Sequence, residues 1–178
     1  MDPEPWSFIT TQRLLAINLS SLVKAYYGAY NRILTTAFPA KFYEIYPQVH
    51  HNIEYLVVDD QGFPVLGLQI KRQNALVNIN LRQEADAQAR EYMLQMISLV
   101  RVPIFYLISV MGHKCCIYSI NKTTHKMNPV EIIPENPSRL EDTVPMHHWN
   151  IDLSKIGGRA ALGDLFRELR QMYHSIRD

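Results

Sequence analysis

The chain has 178 residues, 47% hydrophobic and 20% charged, with a formal net charge of +1. That balance suits one globular domain and excludes both a disordered chain and a protein drawn to nucleic acid by bulk charge. Its two cysteines, Cys115 and Cys116, are adjacent, so no disulfide framework exists and an intracellular location, cytoplasm or nucleus, is expected.

The opening "MDPEPWSFITTQ" has no basic region and no long apolar run, so it does not read as a signal peptide. The longest uncharged run, "VPIFYLISVMG", is too short to cross a bilayer, and no membrane association is expected. The whole of 1–178 reads as a single domain, with an N-terminal arm over 1–10 and a C-terminal extension over 121–178.

After the arm, apolar residues recur at helical spacing from Leu14 and Leu15 through Leu19, Leu22, Val23, Tyr26, Tyr27 and Tyr30 to Ile33 and Leu34. The spacing predicts one long amphipathic helix over 11–37, without an acidic residue, ended by "FPAK". "KFYEIYPQV" reads as a first strand. "IEYLVV" and "PVLGLQIK" read as two more, joined by the turn signal "DDQG". "NINLRQEADAQAREYMLQMISLV" predicts a helix that Asn80 caps with Gln83 three residues on.

"VPIFYLISV" and "KCCIYSI" read as strands on either side of "MGHK". Residues 121–156 are loop-like, with a short strand at "VEII". "RAALGDLFRELRQMYHSIR" predicts an amphipathic helix burying Leu162, Leu165, Phe166, Leu169, Met172, Tyr173 and Ile176. The expected fold is α/β: a mixed sheet flanked by helices in the order α-β-β-β-α-β, with extra strands and a C-terminal helix.

The polar residues of the "IEYLVVDDQGFPVLGLQIK" hairpin gather at its turn and at its open end. If Gln61 and Gly62 are the central turn residues, Glu54 lies opposite Gln69; a three-residue loop would shift the pairing by one. Gln69 and Lys71 share a face because strand side chains alternate. Both faces of the remaining hairpin are apolar, so it is central, and a buried polar triplet there needs hydrogen bonds or a ligand.

These residues resemble the active-site hairpin of the PD-(D/E)XK nuclease superfamily, where a strand-start acid is followed one hairpin later by acid-x-Lys. The resemblance implies a restriction-endonuclease-like core. It puts Glu54 and Gln69 in the metal-binding positions with the Ile70 carbonyl, and Lys71 in the water-positioning role. Mg²⁺ or Mn²⁺ would be the cofactor, and DNA or RNA phosphodiesters the substrate.

Gln88 and Tyr92 have the Q-x-x-x-Y spacing of the RecB-like branch on one helix face, with Glu84 one turn earlier. Two departures stand out. Ile53-Glu54 replaces the proline-aspartate pair, and Gln69 replaces the second acid with a neutral amide. The site is therefore degenerate, and Glu44 is a candidate substitute carboxylate. The resemblance implies a nuclease weakened at the second acidic position, or else a catalytically inactive nuclease-like domain that binds nucleic acid or a protein partner.

Other candidates carry less. His50-His51 and His147-His148 match no zinc spacing. "IGGRAALG" reads as a helix start without the lysine of a nucleotide loop. Arg159, Arg167 and Arg170 read as a solvated helix face.

Overall fold

The computed structural model describes residues 5–18, 22–50, 52–136, 138 and 141–176. Among them, seven strands form one mixed, mostly antiparallel sheet accompanied by four α-helices.

The first helical region is two helices, not one. α1 (Phe8–Leu15) begins where the Ser7 hydroxyl accepts from the Thr10 N–H, and it stops at Ala16. α2 (Lys24–Ala37) follows. Between them the sequence runs Asn18-Leu19-Ser20-Ser21, and short polar side chains of this kind compete with helical backbone bonds. Leu19, expected inside the helix, lies outside the described residues. The arm is also not peripheral from Trp6 onward: this ring is buried, donates to Thr11 Oγ1 at 3.1 Å and packs 6.5 Å from Phe166.

β1 (Tyr43–His50), β2 (Ile53–Asp59) and β3 (Pro64–Lys71) form an antiparallel meander. A short 3-10 helix and α3 (Ile79–Met96) then cross over to β4 (Ile104–Met111), which lies parallel to β3. β5 (Lys114–Asn121) returns antiparallel. The expected strand at "VEII" is absent; two two-residue strands, β6 (Met127–Asn128) and β7 (Ile151–Asp152), pair with β5 instead. Asn78 caps α3 through the Leu81 N–H at 3.1 Å, two residues before the expected Asn80. Gln83 reaches outward, donating to the Glu141 carbonyl and Thr143 Oγ1.

The β2–β3 register is set by two compensating irregularities. The loop is the three-residue kind: Asp59 pairs with Phe63, the Asp59 carboxylate accepts from the Gln61 and Phe63 N–H groups, and Gly62 adopts φ +82°. That positive φ suits glycine. Val58 then sits opposite Pro64 but Val57 opposite Leu66, so β3 carries one extra residue there. The bulge returns the pairing to Tyr55 opposite Leu68. Extended by one residue, this brings Glu54 beside Gln69, as the simplest turn predicted.

Every residue of β2 is buried, and so is β3 up to Ile70. α3 covers the face bearing Gly67 and Gln69, with the Tyr92 ring against Gly67. α2 covers the opposite face, where the Tyr55 hydroxyl donates to the Tyr27 carbonyl at 3.1 Å.

The C-terminal extension is integral to this layer. α4 (Ile156–Ser175) buries Leu162, Leu165, Phe166, Leu169 and Tyr173, whose hydroxyl donates to the Pro64 carbonyl. Met172 is only partly buried, and Ile176, expected in the core, is exposed. No helix among the described residues is long and apolar enough to cross a membrane.

Candidate functional site

The open end of the β2–β3 hairpin gathers the predicted side chains into one polar network. Glu54, 9% exposed, accepts from the Ile70 backbone N–H through Oε2 at 2.5 Å. Lys71 Nζ donates to Gln88 Oε1 at 2.7 Å, and Gln88 Nε2 donates to Glu84 Oε1 at 2.9 Å. Glu84 is exposed and ends the network at the surface. Beside it lies a cavity of about 290 Å³ lined by Val23, Lys71, Arg72, Asn74, Ala75, Leu81 and Glu84.

Gln69 is wholly buried and its amide is fully used. Nε2 donates to the Ala85 carbonyl at 3.2 Å and approaches Gln88 Oε1 at 3.5 Å, while Oε1 accepts from Ser109 Oγ at 2.7 Å. Ser109 was missed in the sequence. Its signal was available: a lone hydroxyl inside "IFYLISVM", a strand otherwise apolar apart from the Tyr106 hydroxyl.

Charge in the site is governed by desolvation. Burial pushes the Glu54 carboxyl up to about 7, against the opposing pull of the Ile70 N–H and the Lys71 charge. Burial lowers the Lys71 ammonium below its usual value, partly offset by Glu54 and Glu84. The Tyr92 phenol is pushed up to about 12 by burial alone and stays neutral.

The remaining candidates fall elsewhere. Glu44 is exposed and pairs with Val58 near the turn, four residues along β2 from Glu54, about 13 Å at strand rise. It accepts from its neighbour Tyr46 and supplies no carboxylate to the site. Among the described residues, no group of three or more His, Cys, Asp or Glu side chains is placed to hold a metal ion. His147 and His148 stack edge to face, and Cys115 and Cys116 are both buried free thiols. Arg159 is not solvated: it is buried and donates to the Leu153 and Ser154 carbonyls. Of the two glycines in the first turn of α4, Gly158 has a packing reason, since a Cβ there would lie 2.1 Å from the Asp152 carbonyl oxygen.

The donor set does not fit Mg²⁺ or Mn²⁺. Hard divalent cations are held by several charged oxygens. Here burial raises the Glu54 carboxyl toward neutrality and so disfavours its charged form, and the amide oxygen of Gln69 is occupied by Ser109. The one further carboxylate of the network, Glu84, is turned to Gln88.

No protein-family model, curated protein or solved structure matches this chain.

Proposed function

We propose that this chain is a nuclease-like domain of the PD-(D/E)XK kind, with a restriction-endonuclease-like core, that has lost metal-dependent cleavage and serves as a nucleic-acid-binding module. The observation that carries this reading is Gln69. The second acidic position holds a neutral amide whose donor and acceptor are both committed inside the protein.

Support for the core comes from the order α-β-β-β-α-β, with α3 crossing between the parallel strands β3 and β4. Further support is the convergence of Glu54, Gln69, Lys71 and Gln88 on one point, with Tyr92 one turn along the same helix face. Two buried free thiols agree with an intracellular setting.

Retained catalysis is the second reading. It is favoured by one observation, the Lys71 ammonium held by Gln88 and coupled to the charge of Glu54.

Metal titration and cleavage assays separate the two. Calorimetry with Mg²⁺ and Mn²⁺ should give no saturable binding below millimolar concentration. Supercoiled plasmid and single-stranded RNA should be cut at background rates by the wild type and by Lys71→Ala alike. Mn²⁺-dependent cutting that disappears in Lys71→Ala would restore the enzyme.

A further inference from the structure

Two stretches of the chain carry basic residues and no acidic one, 5–43 and 92–130, and the first lies on helices away from the hairpin. From Pro5 to Tyr43 the sequence carries Arg13, Lys24, Arg32 and Lys41 and not one Asp or Glu. The chain as a whole is nearly balanced, with 18 basic and 17 acidic residues. Over α1 and α2 the basic side chains are thus kept apart from acidic ones in sequence, whereas Arg101, Lys114, Lys122 and Lys126 of 92–130 are spread over the ends of β4 and β5 and their turns.

The fold turns this segregation into a track. Ala25, Gly28, Ala29, Arg32 and Thr36 recur at helical spacing and form one stripe along α2. Arg13 of α1 faces Arg32 of α2 across a groove of about 260 Å³, floored by Ala25, Gly28 and Ala29. At the C-terminal end of the stripe, Thr36 and Ala37 pass into a second groove of about 450 Å³ that Arg167 and Arg170 of α4 border.

Arg13 and Arg32 are exposed, and neither forms an ion pair among the described residues. Arg170 gives one donor to the Ala37 carbonyl. Asp164 is the one carboxylate lining either groove, and Arg167 neutralises it at 2.8 Å.

We propose that this α2 track binds the phosphate backbone of a nucleic acid. Unpaired arginines present planar forks that match phosphate oxygens. α2 spans about 21 Å, the rise of its 14 residues, which is long enough to follow several successive phosphates. Nothing lies within 4 Å of a Cβ at Gly28, so a strand can approach the helix closely at the centre of the groove. Asn31 beside the stripe is exposed and adds a neutral donor of the kind common at phosphate contacts, while the Thr35 and Thr36 hydroxyls donate to the Arg32 carbonyl at 3.2 and 2.8 Å. The stripe has no aromatic anchor of the kind that dominates protein–protein interfaces.

This inference deepens the binding reading above and rests on it. It locates binding on α1, α2 and α4, and it assigns no base specificity.

Fluorescence anisotropy with a mixed-sequence DNA duplex, and with the corresponding single-stranded DNA and RNA, tests it on the full chain. The comparison is among wild type, Arg13→Glu, Arg32→Glu and the matched charge reversal Lys126→Glu in the remote β5–β6 turn. Each arginine reversal should weaken binding about tenfold at low salt and flatten the salt dependence by about one phosphate contact, with Lys126→Glu close to wild type. The three probes decide which backbone is preferred. Wild-type binding that the arginine reversals leave intact, or that all three reversals weaken equally, overturns the track and leaves the binding module standing. No wild-type binding to any probe at about 50 mM salt overturns both. Circular dichroism of each variant separates a binding loss from a folding loss.

Discussion

Ser109 and Gln69 are directly paired neighbours on the parallel strands β4 and β3, and the serine hydroxyl donates to the glutamine oxygen at 2.7 Å. Both side chains are completely buried. A hydroxyl and an amide that satisfy each other in this way form a structural cross-link between the meander and the crossover strand. Residue 69, the place of a metal-binding carboxylate under the proposed nuclease-like reading, is here part of the core's hydrogen bonding.

Gln69→Glu should therefore weaken the protein and gain no metal site. The change removes the N–H donated to the Ala85 carbonyl and forces an acid into a fully buried position. Chemical denaturation without metal should show a loss of about 1–3 kcal/mol. Ser109→Ala, which strands the Gln69 oxygen, should lose a similar amount. Recovery of Gln69→Glu stability by saturating Mg²⁺ would contradict this account.

Glu54 makes stability depend on pH in a defined direction. Its folded value of about 7 lies above the ordinary 4.5, so the folded state holds the proton more tightly. Its contribution is complete below pH 4.5 and is lost as pH rises through about 7, a swing of about 3 kcal/mol. His113 and His148, both lowered by burial, act in the opposite sense over part of this window, so a difference measurement is needed. Glu54→Gln keeps an acceptor for the Ile70 N–H and removes the titration. The stability of the variant relative to wild type should rise between pH 5 and pH 8. A pH-independent difference would mean that Glu54 is ionised throughout.

The sequence disclosed the hairpin because two continuous apolar runs around the turn signal "DDQG" admit few pairings. The bulge at Val65 was invisible, yet it cancelled the offset of the three-residue loop and kept Glu54 beside Gln69. The break between α1 and α2 was misread because apolar residues continue at helical spacing through it, although Asn18 and the serines marked it. Arg159 looked like a surface charge, and nothing in the sequence marked Arg82 as a core residue. Arg82 is buried on the Leu76 carbonyl six residues before it and on the distant Val144 carbonyl, and Arg159 on the Leu153 and Ser154 carbonyls of the turn that precedes α4.

Asp86 and Arg90 form a second buried polar unit, and here the pair is ionic. Arg90 Nε donates to Asp86 Oδ2 at 2.7 Å, while Asp86 Oδ1 accepts from Arg90 Nη2 at 3.0 Å and from the Tyr118 hydroxyl at 2.9 Å. Arg90 also reaches the Pro129 carbonyl at 2.9 Å, tying α3 to β5 and to the turn beyond β6. Asp86→Ala leaves a buried guanidinium without its counter-charge and should cost about 3–5 kcal/mol in denaturant unfolding. Replacing both partners with apolar residues of similar volume should recover much of that loss. A double variant no better than the single one would show that the unit acts through its geometry rather than its charge balance.

Gly158 supplies a test that involves no charge. A Cβ there would meet the Asp152 carbonyl oxygen at 2.1 Å and the carbonyl carbon at 2.6 Å, both backbone atoms that no rotamer change can move aside. Gly157, its neighbour in the same helical turn, has open space. In a helix, glycine to alanine normally stabilises by about 1 kcal/mol, so Gly157→Ala should raise the midpoint of thermal unfolding. At Gly158 the same gain is opposed by displacement of β7 from α4, and overpacking of this kind typically costs about 1–3 kcal/mol or more. Opposite shifts of the two alanine variants are the expected result. Equal stabilisation of both would mean that α4 starts farther from β7 than the close approach at Asp152 implies.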